Sequence, residues 1–69
     1  MEYAVIIEKT GNGYSAYVPD VPGCIAAADT REETAALIAS ALRDHVELLR
    51  ESGDPIPPPT TSAHQVEIA

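Results

Sequence analysis

The stretch Val18-Pro19-Asp20-Val21-Pro22-Gly23-Cys24 decides how this chain folds, because it reads as a corner between two strands. Proline has no N–H to donate to a strand ladder, and glycine after proline is typical of a type II turn. A little further on, Thr30 and Glu33 have the three-residue spacing of a helix capping box. We therefore predict strands on both sides of the corner and a helix that begins just after Thr30.

The hydrophobic pattern on either side of the corner predicts four strands and one helix in a single α+β domain. The predicted elements are strands at Glu2–Lys9, Tyr14–Val18, Cys24–Ala28 and His64–Ile68, and a helix over Arg31–Glu51. Proline-rich residues 53–63 are expected to link the helix to the last strand. With a right-handed crossover, the four-stranded sheet would have the order 3-2-1-4 and the helix on one face.

One helix covers only one face of such a sheet, yet both alternating sets of the first strand are apolar. A contiguous exposed apolar surface usually marks an interface. The sequence therefore predicts a module that associates with another protein, without deciding which face is open. The two candidate sets are Tyr3, Val5 and Ile7 on one face, or Ala4, Ile6 and Tyr17 on the other.

Net charge and chain length indicate which kinds of molecule this protein can bind and how it is stabilised. Eleven acidic and four basic residues give a net charge of −7, which disfavours direct nucleic-acid binding and favours either a basic partner or simple solubility. A chain of 69 residues has a thin core, and its single cysteine allows no internal disulfide, so we expect stabilisation by oligomerisation or a partner chain. We see neither a signal peptide nor an apolar run of membrane-spanning length and expect a cytoplasmic protein.

The sequence shows no pattern typical of a catalytic or metal site, so we expect a protein that is not an enzyme and binds no cofactor or metal. His45 and His64 lack the spacing of metal ligands. Glu2 and Glu8 would share a face of the first strand but lie roughly 20 Å apart along it, too far to share a metal pair. Cys24 is better explained as a small packing residue than as a nucleophile.

The segments Tyr14–Cys24 and Asp29–Glu33, with the proline-rich stretch after the helix, resemble the HicB antitoxin family. The resemblance implies a partial RNase H-like β-β-β-α-β fold. It also implies that the chain neutralises a HicA-type toxin, a small basic ribonuclease that cleaves mRNA. Ala28 and Thr34 depart from the family pattern, which often has glycine and alanine there. Members often continue into a DNA-binding domain; residues 1–69 contain none, so we expect no direct contact with DNA.

If the chain is an antitoxin of this kind, we expect the corner to contribute to the surface that contacts the toxin. The residues expected at or near that surface are Tyr17, Asp20, Pro22 and Cys24. Two alternatives remain open. One is a homo-oligomeric domain with a structural or regulatory role, in which the open sheet face is buried against a second copy. The other is an RNase H-like nuclease, which would need clustered carboxylates that the sequence does not show.

Overall fold

The computed structural model describes residues 1–69 and shows a three-stranded antiparallel sheet with one helix packed across one face. The elements are β1 (Ile6–Lys9), β2 (Tyr14–Tyr17), β3 (Ile25–Ala28) and α1 (Arg31–Ser52). Each strand pairs with the next along the chain, in the spatial order β1-β2-β3. The predicted α+β class, the first three strands and the helix are therefore confirmed, with strands shorter than predicted.

The predicted fourth strand at His64–Ile68 is wrong for this structure, because residues 54–69 contain no strand and the sheet has three strands. The reason lies in where the chain goes after the helix. Thr60 and Thr61 are hydrogen-bonded to Asp20, beyond the end of β2, and not to the open edge of β1. The predicted order 3-2-1-4 is corrected to three strands. The partial RNase H-like architecture, which includes a fourth strand, stays a prediction.

The hairpin between β1 and β2 needs a glycine because two backbones approach closely. The Thr10 N–H donates to the Gly13 carbonyl at 2.8 Å and closes the turn. A Cβ atom at position 13 would lie 2.5 Å from the Ala28 carbonyl oxygen at the end of β3. Any side chain there would therefore force the hairpin and β3 apart.

The corner between β2 and β3 consists of two successive turns. The Val21 N–H donates to the Val18 carbonyl at 3.1 Å, and the Cys24 N–H donates to the Val21 carbonyl at 3.2 Å. A third bond, from the Val18 N–H to the Cys24 carbonyl, closes the loop at 3.2 Å. Gly23 has φ +86°, the left-handed conformation that the third position of a type II turn requires. The doubled turn folds Val21 inward, where it is only 1% exposed.

Local signals fix both ends of α1. The Thr30 side-chain oxygen accepts from the Glu33 N–H at 3.1 Å, and the Thr30 hydroxyl donates to the Glu33 carboxylate at 3.0 Å. At the other end, Gly53 has φ +74° and its N–H donates to the Arg50 carbonyl. The observed helix is one residue longer than the predicted Arg31–Glu51.

The core lies between the corner and the helix. Its buried apolar residues are Ala16, Val18, Val21, Cys24 and Ile38, and three of these five come from the corner. Ile38 is the only one that the helix supplies, at 2% exposure. Thr34 is fully buried beside it, and its hydroxyl donates to the Thr30 carbonyl at 2.8 Å. A single helical side chain therefore closes a core built largely from a turn.

We predict that Ile38→Ala lowers the free energy of unfolding by about 2–5 kcal/mol, because it leaves a cavity against Val18 and Val21 in a core with few other residues. Urea denaturation monitored by circular dichroism measures the change. The matched control is Leu48→Ala on the same helix, where the side chain is 62% exposed and the expected change is within about 0.5 kcal/mol. Equal losses in the two variants would contradict this assignment of the core.

Candidate partner-binding surface

Strand register determines which sheet face the helix leaves open. Ile7 pairs with Ala16, which pairs with Ala26, and this row packs toward the core beneath α1. Neighbouring positions along a strand point to opposite faces. The adjacent row, in which Ile6 pairs with Tyr17 and Tyr17 pairs with Ile25, therefore faces away from the helix.

This outward row, Ile6, Tyr17 and Ile25, is referred to below as the free-face row. Tyr17 is 43% exposed, Ile25 is 71% exposed and Ile6 is half-buried. Directly paired side chains on one sheet face have Cβ atoms about 5 Å apart, so the three form one continuous apolar patch. Of the two sets left open by the sequence, the one containing Ile6 and Tyr17 is uncovered. Tyr3, Val5 and Ile7 pack against the core instead.

The charges next to the free-face row are acidic. On the same face the adjoining row is formed by Glu8, Ser15 and Ala27, and it contains no basic side chain. Lys9 projects to the other face, where its Nζ lies 6.0 Å from the centre of the Tyr14 ring. An apolar patch bordered by a carboxylate, on a chain of net charge −7, complements a basic protein surface with an apolar centre.

Asp20 holds the segment that follows the helix. Its Oδ2 accepts the backbone N–H groups of Thr60 and Thr61 at 3.0 and 2.9 Å. Its Oδ1 accepts their two hydroxyls at 3.0 and 2.8 Å. These bonds, led by the Thr61 N–H, favour the ionised carboxylate and lower the pKa of Asp20 below its ordinary value of 3.8. We call this arrangement the Asp20 clamp.

The four residues predicted at or near the partner surface differ in exposure and in what they contact. Tyr17 is on the free face and Pro22 is exposed at the corner. The Asp20 carboxylate is engaged in the clamp. Cys24 packs inside the core and is only 4% exposed. Because of this burial, the pKa of its thiol is raised. Contact between a partner and any of the four stays a prediction, with Tyr17 and Pro22 the accessible ones.

Sequence reasoning missed the third member of the free-face row. Ile25 lies in the run Cys-Ile-Ala-Ala-Ala, whose apolar composition does not by itself assign a residue to either face of the sheet. The signal was present in the alternation, because a buried Cys24 places the next side chain on the opposite face. Tyr17 and Ile25 pair directly, and they are the exposed large apolar side chains of the three strands.

We also searched the structure for a metal site, a membrane-spanning helix and unpaired buried polar atoms. The structure contains no group of three or more His, Cys, Asp or Glu side chains arranged to hold a metal ion. Its one helix is not apolar enough along its length to traverse a lipid bilayer. No buried side-chain nitrogen or oxygen lacks a hydrogen-bond partner.

Comparison with known proteins agrees with this arrangement. The model of a family described as HicB_like antitoxin of bacterial toxin-antitoxin system matches residues 3–68. The chain is also similar to a chain in the solved structure of the HicA3 and HicB3 toxin-antitoxin complex. That match has a TM-score of 0.70 and 35% identity, and covers 86% of this chain and 70% of the other.

Two curated proteins are also similar. An uncharacterized 14.9 kDa protein of Haemophilus phage HP1 is 40% identical over 57 residues, which are 83% of this chain. The matched part is 43% of the phage protein, so this chain spans less than half of that relative's length. A UPF0150 protein of Thermoplasma acidophilum is 38% identical over 58 residues, covering 83% of this chain and 84% of the relative.

We predict that the Asp20 clamp opens in acid. Because the folded-state pKa of Asp20 is lowered, the clamp contributes its full stability above pH 3.8 and loses it as the pH falls through the folded pKa. The amide proton shifts of Thr60 and Thr61, followed by NMR from pH 6 downward, should titrate with a midpoint below 3.8. Asp20→Asn should remove that midpoint, since its amide cannot accept all four bonds.

The control for this titration is Asp54→Asn, which removes a carboxylate that bonds to neither threonine and should leave the midpoint unchanged. A wild-type chain whose Thr60 and Thr61 shifts stay constant through the acid range would contradict the clamp. So would an Asp20→Asn variant that retains the wild-type midpoint.

Proposed function

The chain belongs to the HicB-like antitoxin family of bacterial toxin-antitoxin systems, and from that premise we propose that it binds and neutralises a HicA-type toxin, an mRNA-cleaving ribonuclease, in the cytoplasm. The proposed contact surface is the free-face row. The observation that carries the proposal is that an apolar row on the sheet is left uncovered in a chain of this family. The chain acts in this account by binding alone.

Similarity to a chain of a toxin-antitoxin complex supports the choice of partner. At 35% identity and a TM-score of 0.70, the likeness extends through 86% of this chain. The solved structure is that of HicA3 together with HicB3, and we carry the kind of partner over to this chain as part of the proposal. A HicA-type toxin acts on RNA, and a protein that binds RNA needs basic residues. An acidic antitoxin surface is suited to such a protein.

Charge and apolar contact have different parts in the proposed binding. The net charge of −7 speeds the encounter with a basic partner and disfavours acidic competitors. Burial of Tyr17 and Ile25 then supplies most of the affinity, because large side chains at the centre of an interface dominate its binding energy. Bound over the surface that grips RNA, the antitoxin excludes the substrate without any reaction of its own.

A homo-oligomer that covers the same face is the alternative from the sequence analysis. In a face-to-face pair with twofold symmetry, the Glu8 side chains of the two copies would border one buried patch, and no basic group of the free face would offset them. A basic toxin brings the opposite charge to the same carboxylates. The electrostatics of this face therefore favour the heterologous partner.

We predict that Tyr17→Asp weakens toxin binding by about tenfold to a hundredfold, which corresponds to the loss of one central interface residue. The probe is the basic protein of about 60–80 residues that we expect from the neighbouring reading frame, a size ordinary for one small domain. Calorimetry with a catalytically inactive toxin variant gives the dissociation constants, and an mRNA-cleavage assay gives the degree of neutralisation.

The matched control is Leu37→Asp, an equally drastic change at an exposed position on the helix, where Leu37 is 50% exposed. It should leave the affinity unchanged. If the wild-type chain and the basic protein do not bind each other, the proposed function fails. If they bind and Tyr17→Asp has wild-type affinity while folded, the function stands and the surface is wrong.

A further inference from the structure

The edge of the sheet at β1 is open and adjoins an apolar groove. β1 pairs only with β2, so the main-chain groups on its other side have no strand partner. The helix packs more extensively on β3 than on β1, which leaves a groove of about 380 Å³ between β1 and α1. Apolar side chains form most of its lining, among them Val5, Ile7, Ala39 and Leu42.

The C-terminal segment has the properties of a strand without a partner. Residues 62–69 are all exposed and take part in no backbone hydrogen bond. Val66 and Ile68 are 70% and 84% exposed and alternate with the polar Gln65 and Glu67, which is the pattern of a half-buried strand. The radius of gyration is 13.4 Å, against about 11 Å for a compact chain of this length. The segment therefore projects from the body of the domain.

The Asp20 clamp directs this segment away from its own β1 edge. Asp20 lies in the corner that follows β2, beyond the paired residues of β1 and β2. The linker passes Tyr3, whose hydroxyl donates to the Pro57 carbonyl, and then reaches Asp20 through Thr60 and Thr61. By residue 61 the chain is thus bonded to the corner between β2 and β3, and not to the open edge of β1. Pairing with its own β1 edge would require the chain to turn back from that corner.

We infer that His64–Ile68 adds as a strand to the β1 edge of a second copy of this chain, with Val66 and Ile68 covering the groove beside Leu42. Every copy carries one open edge and one projecting strand, so a twofold exchange satisfies both at once and leaves no chain half-paired. Main-chain bonds along β1 and apolar side chains over the groove supply the contact, as in other cases of strand addition. The exchange also protects an edge that would otherwise invite aggregation.

This dimer is independent of the proposed toxin contact. The groove lies between the sheet and the helix, whereas the free-face row projects from the opposite side of the sheet. Strand exchange therefore leaves Tyr17 and Ile25 accessible. The inference can hold whether or not a toxin is the partner of the free face, and it is tested with the chain alone.

Sedimentation of the full chain at about 50 μM, without any partner, gives the first test. We expect twice the monomer mass for the wild-type chain and the monomer mass for Val66→Asp. The matched control is Gln65→Asp, which adds the same charge one position away on the outward side of the strand and should leave the dimer intact. A monomeric wild-type chain would overturn the inference, as would a dimer that withstands Val66→Asp.

A mixed-label NMR experiment distinguishes exchange between copies from pairing within one copy. Chains with ¹³C-labelled methyl groups are unfolded and refolded with an equal amount of unlabelled chain, and only contacts between labelled and unlabelled protons are recorded. We expect such contacts from the Val66 and Ile68 methyl groups to Val5 and Leu42. A dimer that lacks them, with the same contacts seen only within one chain, would show that each segment pairs with its own β1 and would refute the exchange.

Discussion

The structure depends on the burial of the corner between β2 and β3 beneath a single helical side chain. Val18, Val21 and Cys24 are each at most 4% exposed, and Ile38 closes over them. Because the corner supplies more than half of the buried apolar residues, the helix has to lie on the side of the sheet to which the corner folds. The position of α1 therefore determines which sheet face is covered and which is exposed, since residues 1–69 form only one helix.

The exposure of the free-face row follows from the same constraint. Once Ile7, Ala16 and Ala26 face the helix, strand geometry directs Ile6, Tyr17 and Ile25 outward. A monomer that exposes such a row retains an unfavourable apolar surface until something covers it. In the proposed function the cover is a basic toxin, which matches both the apolar row and the acidic chain. The free-face row is thus exposed as a direct consequence of how the helix covers the core.

Local signals in the sequence were sufficient for the helix and for three strands. The Thr30 and Glu33 capping box and the Gly53 stop act over a few residues, so they can be read without knowledge of tertiary structure. The inward fold of Val21 was not predicted, because a turn residue becomes buried only when two turns follow each other and a helix lies above them. The uncovered face also remained undecided until register was known.

The segment after the helix shows that a strand-like sequence pattern does not by itself predict strand pairing. Its alternation of Val66 and Ile68 is typical of a strand, yet pairing depends on an edge within reach. The four hydrogen bonds of the Asp20 clamp join residues about 40 positions apart and have no sequence signature. They give Asp20 a role in the fold, and its contact with a partner stays a prediction.

The proposed role of the free-face row as the toxin-binding surface is tested most directly by NMR. The ¹⁵N-labelled chain is titrated with an inactive variant of the basic toxin, and each backbone amide is followed. We expect the largest changes at Ile6, Tyr17 and Ile25 and their strand neighbours, with little change near Leu37 and Leu48 on the outer side of the helix. Saturable binding that perturbs the outer helix and leaves the free-face row unchanged would contradict it.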